Sequence, residues 1–233
     1  MLYVVPTPMG NLQDITLRAL EVLKTADGVL CEDTRRTQGL LAHFGISKPT
    51  YRYNENDERS VMRCLEALRG GKTLALVSDC GTPCISDPGW KLVRQAVAAG
   101  IKVSSLPGPS AVACALAGAG ITGGAFTFLG FLPRKAGKAA KLLAAAAALE
   151  RPVILYESPY RVVKMLDLIS KTLGEDIPVV VARELSKVYE EWVRGSAREL
   201  CEKFGAQKKV LGEFVIIIDC FNNKENDETD EDF

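Results

Sequence analysis

The chain alternates between two hydrophobic periods. LYVV (2–5), GVLC (28–31), TLALV (73–77) and IKVSSL (101–106) are short apolar runs bounded by polar or turn residues, and they predict strands. Between them the apolar positions recur every three or four residues. Leu17, Leu20 and Leu23 mark a helix beginning near Asp14, and Leu40 and Phe44 mark another that stops at Gly45. Residues 58–69 and 90–99 predict two more helices. This alternation predicts a doubly wound parallel sheet with helices on both faces. LPGPSA (106–111) then breaks the chain and starts a further helix. Beyond it, FTFLGF (126–131), PVILYE (152–157), PVVVA (178–182), YEEWV (189–193) and EFVIIID (213–219) predict strands. Helices are expected at 138–149, 160–173 and 196–204. The second half therefore reads as a mixed-sheet α/β domain. The expected division is 1–112, 113–221 and a tail, 222–233, with a ligand cleft between the two α/β domains.

Composition narrows the class. The chain is 47% hydrophobic and 25% charged, as globular proteins are. No apolar stretch reaches the roughly 20 residues of a membrane span. The N-terminal MLYVVPTPMGN lacks the basic and apolar regions of a signal peptide, so a cytoplasmic protein is expected. Seven cysteines, an odd number without CxxC spacing, argue against a disulfide framework or a zinc site, and no metal is expected. Formal net charge is zero, but the tail holds six acids and one lysine. Without it, 28 basic and 23 acidic residues leave a net +5. PRKAGKAAK (133–141) concentrates that excess. The tail is expected to be disordered, either solvated or competing with a polyanion for the basic face.

Seven loops leave the C-terminal ends of expected strands: PTPMGNLQD (6–14), EDTRRT (32–37), SDCGTPCISDPG (78–89), LPGPSA (106–111), GFLPRKAGK (130–138), YESPYR (156–161) and ARELSK (182–187). That edge of an open α/β sheet gathers ligands. The usual signatures are missing: no GxxxxGK[ST], no GxGxxG after the first strand and no GxSxG. His43, the single histidine, sits in a helical pattern and reads as structural. Ser–His–Asp catalysis and multi-histidine metal sites are thereby excluded.

In this order, PTPMGNLQDITLRAL, CEDTRRT, LVSDCGTPCISDPG, LPGPSA, GFLPRK, YESPYR and ARELSKVYEEWVRG resemble the ribosomal RNA small-subunit methyltransferase I family, which has the tetrapyrrole-methylase-like fold. The resemblance covers residues 2 to about 219. It implies a two-domain enzyme, a homodimer, that uses S-adenosylmethionine to methylate the ribose 2′-hydroxyl of a cytidine in 16S rRNA of the small ribosomal subunit. It assigns donor binding to Pro8, Ser78, Asp79, Gly81, Thr82, Ser86, Asp87, Pro109, Ser110, Ala111, Tyr156, Ala182 and Arg183. The residue types fit that role. Gly81 admits close backbone approach, Asp79 and Asp87 suit a cationic ligand, and Ser86 and Thr82 carry hydroxyls. The helix beginning at Ser110 suits a carboxylate. The family often carries histidine at positions matching Asn54 or Asn56, Arg36 and Tyr160, and lysine at the position matching Leu211.

With histidine unavailable, Glu32, Asp33, Glu157, Glu184 and Lys187 are the candidates for the group that takes the 2′-hydroxyl proton, with Glu157 preferred and Lys187 second. Arg35, Arg134, Lys135 and Arg161 are expected to meet phosphates or the developing alkoxide, with Asp33 beside the substrate. The bland readings are a helix cap for Glu157 and an ion pair between Arg35 and Glu184. A tetrapyrrole or protein methyltransferase of the same fold is the nearest alternative. A non-catalytic donor-binding module and an RNA-binding assembly factor stand further off.

Overall fold

The computed structural model describes residues 1–121 and 124–221. The expected acidic tail at 222–233 lies outside the described residues. The chain divides into two compact units, Met1–Ala111 and Val112–Phe233.

In the first unit β1 (Leu2–Val5), β2 (Gly28–Cys31), β3 (Thr50–Arg52), β4 (Leu74–Val77) and β5 (Val103–Ser105) form one sheet in the order β3-β2-β4-β1-β5. Every neighbouring pair is parallel. Helices α1 (Leu17–Thr25), α2 (Thr34–His43), α3 (Glu58–Arg69) and α4 (Trp90–Ala98) cover it. The continuous apolar run of β4 follows from burial on both faces. Leu74 and Leu76 join Val61, Leu65, Leu68 and Leu92 of α3 and α4. Ala75 and Val77 join Ala19, Val22, Leu23 and Leu41 of α1 and α2. Two local features depart from the sequence expectation. The first helix begins at Leu17 rather than near Asp14, because Thr16 caps it by accepting the Ala19 N–H. Residues Leu12–Asp14 form a separate 3₁₀ turn capped by Asn11. The short β3 is an edge strand with little burial, which gives no alternating pattern to read.

The second unit contains α5 (Ala111–Ala119), whose first residue ends the first unit. It continues with β6 (Thr127–Phe131), α6 (Ala136–Ala147), β7 (Val153–Glu157), α7 (Val162–Leu173), β8 (Pro178–Arg183), β9 (Glu191–Ser196), α8 (Ala197–Gly205) and β10 (Phe214–Ile218). The sheet order is β6-β7-β10-β8-β9. β6 and β7 are parallel, while β10 runs antiparallel to both β7 and β8, and β9 antiparallel to β8. Its core joins Leu143 of α6, Leu166 and Ile169 of α7, and Leu200 and Phe204 of α8 to Val153, Leu155, Val181 and Ile216 of the sheet. The capping box of Ser196 and Glu199 fixes the start of α8.

Strand direction decides where the loops gather. In the first unit all five C-terminal strand ends share one edge. In the second, the ends of β6, β7 and β8 share an edge with the beginnings of β9 and β10.

Candidate active site

At the first unit's edge, the loops after β1, β4 and β5 are tied by their own polar groups. Thr7 and Gly81 exchange backbone hydrogen bonds, at 2.9 and 3.0 Å. The buried Thr7 hydroxyl donates to Ser78 O at 3.0 Å, and the Ser78 hydroxyl donates to Gly81 O at 3.0 Å. Thr82 donates to Pro109 O at 2.7 Å. The hydroxyls of Ser78 and Thr82, both expected at the donor site, thus hold the loops together, and Thr7, Ser78 and Gly81 are buried. Gly81 has φ +79°, and the same loop holds Cys84 at +70° and Ser86 at +61°. Non-glycine residues in that region carry strain that concentrates at functional sites. Pro8 is buried, and Ser110 and Ala111 are half-buried at the start of α5.

Carboxylates crowd this edge. Burial pushes Asp87 up to about 7, with Glu32 and Asp79 adding repulsion. Burial likewise raises Glu32, helped by Asp79 and Glu55. Asp79 accepts the Asp33 N–H at 3.4 Å and lies 3.6 Å from Arg36. Asp33 caps α2 by accepting the Arg35 N–H at 2.9 Å and pairs with the Arg35 side chain at 3.2 Å. Beside them, Glu32, Asp33, Thr34, Arg35 and Arg52 line a hollow of about 380 Å³. Arg52 escaped the sequence reading because β3 left no pattern. His43, at the last turn of α2, packs edge-on against Phe44 with centroids 4.8 Å apart.

The second unit's edge differs. The Glu157 side chain is fully buried. Its Oε1 accepts the Ser158 N–H at 2.7 Å, and its Oε2 faces the Arg161 guanidinium at 3.3 Å as an ion pair. Arg161 also donates to Leu132 O at 3.0 Å, so it links the loop after β7 to the loop after β6. Tyr156 packs edge-on against Phe128 and Phe131, with centroids 4.9 and 5.6 Å away. Arg134 and Lys135 are exposed.

After β8 the backbone turns through Glu184 at φ +52° and Ser186 at φ +67°. Lys187 Nζ lies 2.9 Å from Glu184 Oε1 and 2.9 Å from Glu213 Oε2. Burial opposes the charge on Lys187, but the hydrogen bonds it donates to both carboxylates outweigh it and raise its pKa. For Glu184, burial is overcome by hydrogen bonds from Lys187 and the Glu213 N–H, which lower it. Glu184 therefore pairs with Lys187, while Arg35 pairs with Asp33. Arg183 donates to Leu211 O at 2.6 Å and lies 3.3 Å from Glu191, and Ala182 is fully buried.

The family of Tetrapyrrole (Corrin/Porphyrin) Methylases matches residues 1–201. A ribosomal RNA small subunit methyltransferase I from Mesorhizobium japonicum is 44% identical over 93% of this chain and 74% of its own length. One from a Hydrogenobaculum species is 41% identical over 97% of this chain and 96% of its own. Among solved structures, uroporphyrin-III C-methyltransferase from Thermus thermophilus, complexed with S-adenyl homocysteine, superposes with TM-score 0.66 at 18% identity. The match covers 94% of this chain and 97% of that one. Diphthine synthase superposes with TM-score 0.68 at 16% identity, over 93% and 88% of the two chains. These structural likenesses describe the fold.

Proposed function

The chain belongs to the ribosomal RNA small subunit methyltransferase I family, within the tetrapyrrole methylases, and from that premise we propose that it transfers a methyl group from S-adenosylmethionine to the ribose 2′-hydroxyl of a cytidine in 16S rRNA. The observation that carries the donor assignment is the crowding of Glu32, Asp79 and Asp87 at a backbone-lined edge. Burial and the repulsion of Glu32 and Asp79 leave Asp87 up at about 7, which favours a cationic ligand beside it. S-adenosylmethionine supplies, when bound, an electrophilic methyl on a positively charged sulfur. Asp79 and Asp87 balance that charge. Pro109, Ser110 and Ala111 provide partly exposed main chain, Ser86 an exposed hydroxyl, and the buried Thr7–Gly81 pair and Pro8 hold the loops beneath them. Tyr156, Ala182 and Arg183 keep their donor assignment from the family resemblance.

The sugar hydroxyl needs an accessible, unprotonated acceptor as its oxygen attacks. Glu157 has no exposed side-chain surface, and Lys187 is held as a cation between two carboxylates. We therefore assign the acceptor role to Glu32, which lines the hollow beside Arg35 and Arg52 and has a carboxylate made more basic by burial. The two guanidiniums bind the flanking phosphates, and Asp33 orients Arg35. Arg134 and Lys135 extend the phosphate contacts. The enzyme works on RNA in the cytoplasm as a homodimer. Among the described residues no helix is long and apolar enough to cross a membrane.

The test offers radiolabelled donor with small ribosomal subunits from a strain lacking the enzyme, beside a porphyrinoid. Label in 16S rRNA, at one cytidine whose 3′ linkage resists alkali, is the expected result. Label in the porphyrinoid alone, or no label in RNA, overturns the reading. Sedimentation velocity at micromolar concentration reads the homodimer, and a monomer there removes it.

A further inference from the structure

The second unit's sheet edge is divided by chemistry. Around the loop after β8, Glu184, Glu190, Glu191 and Glu213 outnumber Arg183 and Lys187, a surface that repels phosphate. The corner formed by β6, β7 and the helices they lead into is the opposite. Residues 131–141 and 156–164 contain Arg134, Lys135, Lys138, Lys141, Arg161 and Lys164, against Glu157 as the sole acid. That acid is buried and neutralised by Arg161.

Two aromatic rings stand exposed on this basic corner. Phe131, the last residue of β6, is 56% exposed, and Tyr160, in the loop after β7, is 90% exposed. Packing against Tyr156 covers only part of Phe131 and does not explain the position of Tyr160, since a large ring left in water gains nothing for the fold. Both loops are also fixed to each other. Glu157 anchors Arg161, and Arg161 grips Leu132 O, the carbonyl next to Phe131. Phe131 is braced from below by Tyr156. Rings held in the open among cations match what unpaired nucleotides require: a face for each base and positive charge for each phosphate.

We propose that the β6–β7 corner is a base-stacking platform on which Tyr160 and Phe131 hold unpaired nucleotides of the substrate RNA, with the Glu157–Arg161–Leu132 linkage fixing the two loops in register. The proposal rests on the RNA-methylating function stated above. Arg161 is then a positioning residue, occupied by protein partners rather than by phosphate. The basic surroundings select RNA over another protein chain as the occupant.

The experiment uses the full chain and measures kcat and KM for small subunits, with binding of a single-stranded RNA spanning the methylated nucleotide as a function of salt. Tyr160→Ala is expected to raise KM about tenfold or more, the scale of losing one stacked base, with kcat little changed. The slope of log affinity against log salt stays as in wild type, because no phosphate contact is lost. Lys135→Ala is expected to make that slope shallower by about one unit. Tyr160→Phe and Tyr160→Trp keep the stacking face and are expected to restore KM, and the tryptophan's fluorescence is quenched when RNA binds. Glu157→Gln keeps the fold-side acceptor for Ser158 but weakens the hold on Arg161, and is expected to raise KM in the same direction while leaving the pH profile of kcat unmoved.

An unchanged KM for Tyr160→Ala overturns the proposal. So does Tyr160→Phe behaving like Tyr160→Ala, which assigns the effect to the hydroxyl. A Tyr160→Ala variant that changes sedimentation instead of RNA binding assigns the ring to a second copy of the chain, with the same consequence. Wild-type protein inert on small subunits strikes the function reading itself, whereas an active wild type with an indifferent Tyr160→Ala strikes the platform alone.

Discussion

Among single residues, the acids of the first unit carry the sharpest consequences. Glu32→Gln is expected to lower kcat by about 10²–10⁴-fold with a small change in KM, and to abolish the rise in rate as Glu32 deprotonates. Steady-state kinetics across pH check both effects. Asp87 makes a separate prediction about stability. Its folded-state pKa is raised to about 7 from an ordinary 3.8, so between those values the folded chain holds more protons than the unfolded one. This group therefore favours the folded state most at low pH, and its contribution is lost as pH rises through about 7. Asp87→Asn is expected to flatten that loss and raise the denaturation midpoint at pH 8, measured in urea across the pH range. Residue types in SDCGTPCISDPG pointed to this edge, but not to how the hydroxyls are used. Ser78 and Thr82 donate to Gly81 O and Pro109 O, partners chosen by loop packing. The burial of Glu157 was equally hidden, because one acid ending an apolar strand reads the same covered or bare. Lys187 could be matched in sequence to Glu184 three residues before it, but not to Glu213, which β10 brings from far along the chain.

At the level of elements, the loop between β4 and α4 is where backbone strain and packing meet. Gly89 has φ +134°, and a Cβ there would come within 2.7 Å of Leu76 Cδ2 and 2.8 Å of Cys84 Sγ. Gly89→Ala is expected to destabilise the fold by about 2 kcal/mol or more, combining left-handed strain with overpacking of the core beneath the loop. Equilibrium denaturation measures it. In the second unit, Phe204 is fully buried and meets Phe214 edge-on at 5.8 Å. Phe204→Ala is expected to cost about 3–5 kcal/mol by the same measurement. Most elements were legible because their periodicity is strong, as in α3 with Val61, Leu65 and Leu68 on one face. Boundaries were less so. The capping threonine at 16 set the start of α1, a local hydrogen bond that outweighs the apolar spacing before it.

Across the whole molecule, charge acts at a distance that element boundaries do not limit. A chain ending at Phe221 carries net +5 where the full chain carries zero. It is expected to bind RNA more tightly in low salt, with the advantage fading above ~0.1 M, where the screening length falls to about 10 Å. Fluorescence anisotropy titrations at several salt concentrations check this. The parallel character of the first sheet was legible from alternation alone. The mixed character of the second sheet was legible too, but its strand order was not, since β10 is the last strand in sequence yet lies between β7 and β8, a placement that depends on long-range pairing. The uniform direction of the first sheet also has a practical use. Met1 lies at the start of β1, where its ammonium donates to Lys72 O, and so at the edge opposite the reactive loops. A tether joined there would leave the loop-bearing edge of that sheet pointing away from a sensor surface, free to meet a ligand in solution.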